Sequence, residues 1–304
     1  MSARIDEIPK GLFWHYANWN GLNGIVKTQT LWASHYKYLN DEQELLYGFQ
    51  QLERKAQVME YLPAHMQGAF SAASRLATAT DAVKACWVTS LSEATDELSQ
   101  WAMYAGGTGG FAIGFTKETL ETIASEFRGE FVQCQYQSSD QLRIIEPIAQ
   151  RLRNLLSSTN SGMKSQDDAA SLMAARAGTL GLPQHFTDLY KLAPQIKHPA
   201  FHAEKEWRIV SFGDHLGYEP KTDWAPDKSF HSRPTMLTPH VEIPLYPKSL
   251  RTYPIAAILV GPGHHKALNA DAVERMLALK ARMVGSDEIG KIPVAESAIP
   301  YRAW

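Results

Sequence analysis

The stretch that most constrains this chain runs from Phe13 to Glu44, FWHYANWNGLNGIVKTQTLWASHYKYLNDEQE. Its opening run, Leu12-Phe13-Trp14-His15-Tyr16, is short, apolar and aromatic, and predicts a buried strand. Asn18, Asn20 and Gly21 carry turn chemistry, and Leu22, Ile25 and Val26 are spaced for about one turn of helix. Leu31-Trp32-Ala33-Ser34 predicts a second strand, followed by a tyrosine-rich polar loop from His35 to Asp41. Two adjacent strands would then each hold a polar side chain, His15 and Ser34, beside aromatic walls. Asn40-Asp41 with Glu44 match a capping box for the helix that follows, a structural role.

The remainder reads as helices alternating with short strands. Asp41 to about Ala82 has the periodicity of a pair of amphipathic helices. A strand is expected over Ala85–Ser92, a short helix over Glu93–Tyr104 and a strand over Phe111–Phe115. The intervening Gly106-Gly107-Thr108-Gly109-Gly110 lacks both G-x-G-x-x-G spacing and a Walker lysine, so a tight hairpin is expected, pairing the Cys86 and Phe111 strands antiparallel. Helix is expected over Lys117–Phe127, strand over Phe131–Tyr136, helix over Asp140–Ser157, loop to Asp168 and helix over Ala169–Leu192. Strands over Arg233–Ile243 and Pro254–Val260, a helix over Ala267–Val284 and an edge strand over Ile292–Ile299 complete the chain. The fold class is α+β, helices mixed with short strands. The chain is read as a single domain, 1–304, with its core over about 12–260 and a strand–helix extension over 261–304.

Composition narrows the function classes. With 304 residues and 44% hydrophobic content the chain can bury a sizeable core. A net charge of -2 argues against a general nucleic-acid or anionic-membrane binder. Cys86 and Cys134 are the only cysteines, too few for a disulfide scaffold or a four-thiolate zinc site, so a reducing, cytoplasmic setting is expected. The first residues lack a signal-peptide core, and no run approaches the roughly 18 apolar residues of a membrane span. His264-His265 has no ligand spacing beside it, and no metal is expected. No nucleophile-elbow context surrounds Ser34-His35.

The chemistry-bearing stretch is His198 to Phe212, HPAFHAEKEWRIVSF. Strand alternation from Glu204 places Glu204, Glu206 and Arg208 on one face and Trp207 and Ile209 on the other. Such a face is either a solvated edge or, inside a cleft, a device for steering a hydroxyl or stabilising a developing cation.

Five blocks, F-W-H-Y, L-W-A-S-x4-L-N-D-x2-E, the S-L-S to W-A-M-Y-A run, G-F-A-I-G-F and E-K-E-W-R-I, resemble an uncharacterised bacterial family known only as a domain of unknown function, over roughly residues 12–260. The chain also resembles ADP-ribosyltransferases of the DNA-targeting toxin type. His15 matches their first-strand histidine, Ile25 or Val26 to Leu31 their helix-to-strand step, Ser34 or Tyr36 their second strand, and Glu204 or Glu206 their late-strand glutamate. Ser34 departs from the pattern in lacking a following Thr-Ser, and the intervening helices are long.

That resemblance implies an ADP-ribosyltransferase-like fold, small, mostly antiparallel split sheets flanked by helices and gripping NAD, with Glu206, or else Glu204, stabilising the cation formed when the nicotinamide–ribose bond breaks. It implies a cofactor-contacting set of His15, Tyr16, Ser34, Tyr36, Tyr104 and Arg208. His15 would bind ribose hydroxyls, Tyr36 or Tyr104 would stack on nicotinamide, and Arg208 would pair with a glutamate or the pyrophosphate. ADP-ribose would pass to a protein, a nucleic acid or water, in a toxin, antiphage or housekeeping setting. The alternative function is a non-enzymatic interaction module, built on the twelve tyrosines and eight tryptophans.

Overall fold

A computed structural model describes residues 5–39, 47–48, 50–52, 54, 86–106, 109–158, 188, 191–212, 228–232, 236–246, 249–250 and 252–300. The expected capping box at Asn40, Asp41 and Glu44, most of the paired helices after it, the loop at 159–168 and nearly all of the helix over 169–192 lie outside these residues. The fold is α+β: a mixed, largely antiparallel sheet flanked by helices.

The opening unit forms much as expected. Strand β1 (Phe13–Ala17) leads into helix α1 (Trp19–Thr28), and strand β2 (Thr30–His35) follows. Asn18 caps α1 by accepting from the Gly21 amide at 3.0 Å, and Leu22, Ile25 and Val26 form its buried face. The helix is longer than the turn or so its apolar spacing suggested, because Asn20 and Gly21 sit inside it rather than in a loop. Gly21 fits there through close approach: a Cβ would lie 2.8 Å from that of Ala17.

Eight further strands are described: β3 (Cys86–Ser92), β4 (Phe111–Phe115), β5 (Gly129–Gln133), β6 (Glu206–Phe212), β7 (Lys228–Ser232), β8 (Leu237–Pro244), β9 (Ala257–Val260) and β10 (Val294–Glu296). Described helices after α1 are α2 (Leu98–Tyr104), α3 (Lys117–Glu126), α4 (Ser138–Ser158) and α5 (Lys266–Val284). The ten strands form one sheet in the order β10-β9-β4-β1-β3-β2-β8-β7, and the pair β6-β5 branches from β3. All described pairings are antiparallel except β9 with β10.

Two expectations about pairing are corrected. The Cys86 and Phe111 strands are not partners, because β1 lies between them, laddered to β4 from Phe13↔Phe115 to Ala17↔Phe111. Correspondingly, the glycine cluster makes no hairpin. It joins α2 to β4, with Gly106 and Gly109 at positive φ (87° and 76°). The strands carrying His15 and Ser34 are not neighbours either, since β3 separates them. Local text specifies that a segment is a strand; which edge it meets depends on residues far along the chain.

The branch at β3 shapes the molecule. One edge of β3 is laddered to β6 throughout, from Cys86↔Phe212 to Ser92↔Glu206. The other edge is shared in turn: β2 pairs at Trp87 and Val88, and β1 only at Ser92. Continuing either register would bring Trp32 or Tyr16 opposite Ser90, yet neither pairs there. Side chains bridge the opening instead. Thr89 Oγ1 donates to the Trp32 carbonyl at 2.6 Å, and His15 Nδ1 donates to the Ser90 carbonyl at 3.0 Å. Peptide groups left without a ladder are thereby satisfied.

The largest apolar core packs α1, α3 and α5 on the sheet, through residues such as Phe13, Leu22, Ile113, Leu120, Val273 and Leu277. The C-terminal segment is part of this core, with β10 completing the sheet beyond β9. A second cluster, including Trp14, Tyr16, Trp101 and Leu259, packs α2 against the sheet.

Candidate functional site

Where β1 and β2 part around β3, a cavity of about 710 Å³ opens. Its walls come from β1 (His15), β2 (Trp32, Ser34), the middle of β3, helix α2 (Gln100, Tyr104) and the Lys197–Arg208 segment.

The charged wall is built from the end of β6. Glu204 closes a 3-10 helix, Pro199–Glu204, and Lys205 turns the chain into β6 in a left-handed conformation (φ 43°). Glu204 is thus not a strand residue, contrary to the alternation expected for it. Its carboxylate still meets that of Glu206, because Lys197 binds both: Nζ is 2.5 Å from Glu204 Oε2 and also contacts Glu206 Oε2. Arg208 adds a fork, with Nε to Glu206 Oε1 and Nη2 to Glu206 Oε2, each 2.9 Å, while Nη1 donates to the Pro194 carbonyl at 2.9 Å.

The backbone around these groups is pinned. Ser92 Oγ donates to the Glu204 carbonyl at 2.5 Å, the Glu206 amide donates to Tyr136 Oη at 2.8 Å, and the Cys134 amide donates to the Glu206 carbonyl at 2.9 Å. Lys197 is held through its own amide on Gln135 O at 3.1 Å and its carbonyl on Gln141 Nε2 at 3.2 Å.

Glu204, Glu206, Lys197 and Arg208 are all buried, Arg208 to 1% exposure, so the solvated-edge alternative does not hold. Among the described residues two carboxylates face two cations, and opposite charges in contact lower the cost of burying each. Burial by itself would raise the Glu206 pKa; Arg208 and then Lys197 outweigh it and bring it down to about 2. Among the described residues three bonds occupy Glu206, from Arg208 Nε, Arg208 Nη2 and Lys197 Nζ. A carboxylate has about four lone-pair positions, so one remains, on Oε1.

The other expected contacts divide. Tyr104 lines the cavity and donates to Glu204 Oε1 at 3.2 Å. Burial first, and the neighbouring Glu204 charge second, raise its pKa, so it remains a phenol. His15 lines the cavity with its pKa lowered by desolvation, an effect the bond to Ser90 opposes. Since a carbonyl only accepts, Nδ1 carries the proton, and a neutral ring keeps Nε2 as an acceptor. Ser34 is buried on the opposite wall. Tyr16 also borders the cavity, but its hydroxyl is committed to the Ala94 carbonyl at 2.7 Å. Tyr36 is not in the lining; it stacks on His35 at 4.7 Å and packs beside Cys86 and Val88.

Sequence reasoning missed Lys197 and Gln100. Lys197 is a lone cation in an apolar, proline-bounded run, Ala193-Pro194-Gln195-Ile196-Lys197-His198-Pro199, a composition that costs too much to bury unless a counter-charge waits. Gln100 stands one helical turn before Tyr104, so a helical wheel drawn through Tyr104 would have found it. Both cysteines are buried and neither is in a disulfide, and among the described residues no group of three or more His, Cys, Asp or Glu is gathered as a metal site. No described helix is long and apolar enough to cross a membrane.

Comparison with known proteins agrees with the coarser of the two resemblances. The family model described as "Protein of unknown function (DUF2971)" matches residues 100–209, the span that runs from α2 to β6 and carries the charged wall. No curated protein and no solved structure matches the chain.

Proposed function

We propose that the cavity binds NAD and that the protein is an ADP-ribosyltransferase or NAD glycohydrolase acting in the cytoplasm, possible settings being a toxin or an antiphage system. The observation that carries this reading is the split at β3: His15 on β1, Ser34 on β2 and the Glu204/Glu206 pair beside β6 line one cavity. Those are the positions at which the motif residues resemble ADP-ribosyltransferases, although the ten described strands here form one sheet.

Bond cleavage follows from the chemistry of the groups. The nicotinamide–ribose bond breaks with its electron pair going to the pyridinium nitrogen, which becomes neutral, and the ribose gains oxocarbenium character. Glu206, held ionised, supplies the fixed negative charge, and the remaining acceptor position on Oε1 suits the ribose 2'-hydroxyl. His15 Nε2 accepts from a second ribose hydroxyl. Glu204 is the alternative carboxylate, oriented by Tyr104 and Lys197. An acceptor hydroxyl, amine or water then attacks the ribose carbon and loses its proton.

The test is incubation with NAD while free nicotinamide is followed by chromatography, with Glu206→Gln and Glu204→Gln alongside. Glu206→Gln is expected to lower release by about 10²–10³-fold, the usual cost of losing a charge-stabilising group, with NAD affinity changed only a few-fold. Undiminished release in both variants would remove the carboxylates from the mechanism.

A second reading, an interaction module, is favoured by the β7–β8 edge of the sheet, where Phe230 is 60% and Leu237 61% exposed. A thermal shift with NAD that unrelated nucleotides do not produce separates the two in favour of the enzyme.

A further inference from the structure

Gln100 is 4% exposed and borders the cavity, yet its Nε2 is a buried donor that finds no acceptor among the described residues. An amide buried without a partner is costly, and such a group in a native fold calls for something that completes it. Gln100 lies four residues before Tyr104 on α2, which puts both on the same helix face about 6 Å apart along the axis. Tyr104 in turn holds Glu204. The unfilled amide therefore lies on the helix face whose Tyr104 holds one of the carboxylates, and it borders the same cavity as both of them.

Resting on the NAD reading, we propose that Gln100 is the residue that recognises the nicotinamide carboxamide. A primary amide offers one acceptor and a donor pair, and it is complementary to a second primary amide in a two-bond pair. A nicotinate carboxylate in the same place presents only acceptors, so the Gln100 carbonyl would face an oxygen. Adenine also offers a donor beside an acceptor. The adenine end is disfavoured because the bond that breaks adjoins nicotinamide, and Gln100 shares its helix face with Tyr104, which holds one of the carboxylates assigned to that bond.

The experiment compares three dinucleotides on the full chain: NAD, its nicotinic acid analogue and its hypoxanthine analogue. Binding is read by calorimetry, and kcat/KM by release of nicotinamide or nicotinic acid. The wild type is expected to favour NAD over the nicotinic acid analogue by about tenfold or more, the worth of one or two hydrogen bonds. Gln100→Met should bring that ratio to within about threefold while its Tm holds or rises, since a buried unpartnered amide is lost. Gln100→Glu, similar in shape, should widen the ratio, because its carboxylate repels nicotinate yet still accepts from nicotinamide. A purely structural glutamine would not move the ratio in opposite directions.

Discrimination that survives in both variants overturns the role of Gln100 while leaving the NAD reading in place. So does a wild type that takes NAD and the nicotinic acid analogue equally. If the variants alter adenine against hypoxanthine preference instead, Gln100 faces the other end of the dinucleotide and the proposal fails. Neither binding nor turnover of NAD by the wild type would bring down both readings together.

Discussion

At the scale of single residues, Lys197 is the keystone of the charged wall. It is 5% exposed and is shared by Glu204 and Glu206, whereas Arg208 serves Glu206 alone among the two. Lys197→Met keeps the stem and deletes the charge, leaving the Glu204 carboxylate, among the described residues, with the Tyr104 hydroxyl. Breaking a buried ion pair from one side is costly, and a loss of about 3 kcal/mol is expected in the urea midpoint. Adding Glu204→Gln to Lys197→Met should recover part of that loss, because the stranded charge goes too. Full additivity of the two substitutions would show that the lysine and Glu204 do not interact. Glu206 and Arg208 were legible in the text EKEWR, since strand periodicity singles out alternate residues, whereas Glu204 meets them from the 3-10 helix before the strand. Their lysine was not, because its partner relation spans a turn that periodicity cannot describe.

At the scale of elements, β1 and β4 depend on one small residue. Gly114 pairs with Trp14 across the ladder, and a Cβ at Gly114 would lie 2.9 Å from the Trp14 ring and 2.9 Å from the Leu12 side chain. Trp14 is 1% exposed and its Nε1 donates to Thr95 Oγ1 at 2.9 Å, so the indole has no room to withdraw. Gly114→Ala is expected to cost about 1–3 kcal/mol, as overpacking in a tight core does. Thermal denaturation with near-ultraviolet dichroism reports both the loss and the changed tryptophan environment. An alanine variant as stable as the parent would mean that the ring has slack. G-F-A-I-G-F was readable as a strand, but the reason for its second glycine was not, since it depends on a residue one hundred positions earlier in the chain.

At the scale of the whole molecule, stability is expected to fall with acid in two successive windows. His240 is buried against Trp32, ring centroids 4.2 Å apart, with His231 Nδ1 3.1 Å from its own Nδ1. Desolvation and then repulsion from His231 lower its pKa to about 4, the backbone at Thr238 opposing. An unfolded histidine takes its proton near pH 6.5, so the unfolded chain binds protons first, and stability drops from about pH 6.5 to 4. Glu206 acts next. Its folded pKa is depressed to about 2, so its contribution is complete above the unfolded value of about 4.3 and is lost as pH falls towards 2. Urea midpoints across pH should show both slopes. His240→Phe should flatten the upper one and Glu206→Gln the lower, and a profile unchanged by either substitution would mean that those groups titrate normally.

The sequence by itself determined the kind and position of most described elements, because helix and strand periods are written locally in the spacing of apolar side chains. It also singled out His15, Ser34, Tyr104, Glu204, Glu206 and Arg208, which lie around one cavity. Only the tertiary structure decided that β3 separates β1 from β2, that the carboxylates are buried rather than solvated, and that Lys197 and Gln100 join them. The physical reason is that strand pairing and charge compensation are relations between segments distant along the chain. Their energies depend on which edges and which counter-charges meet, and no local period encodes that meeting.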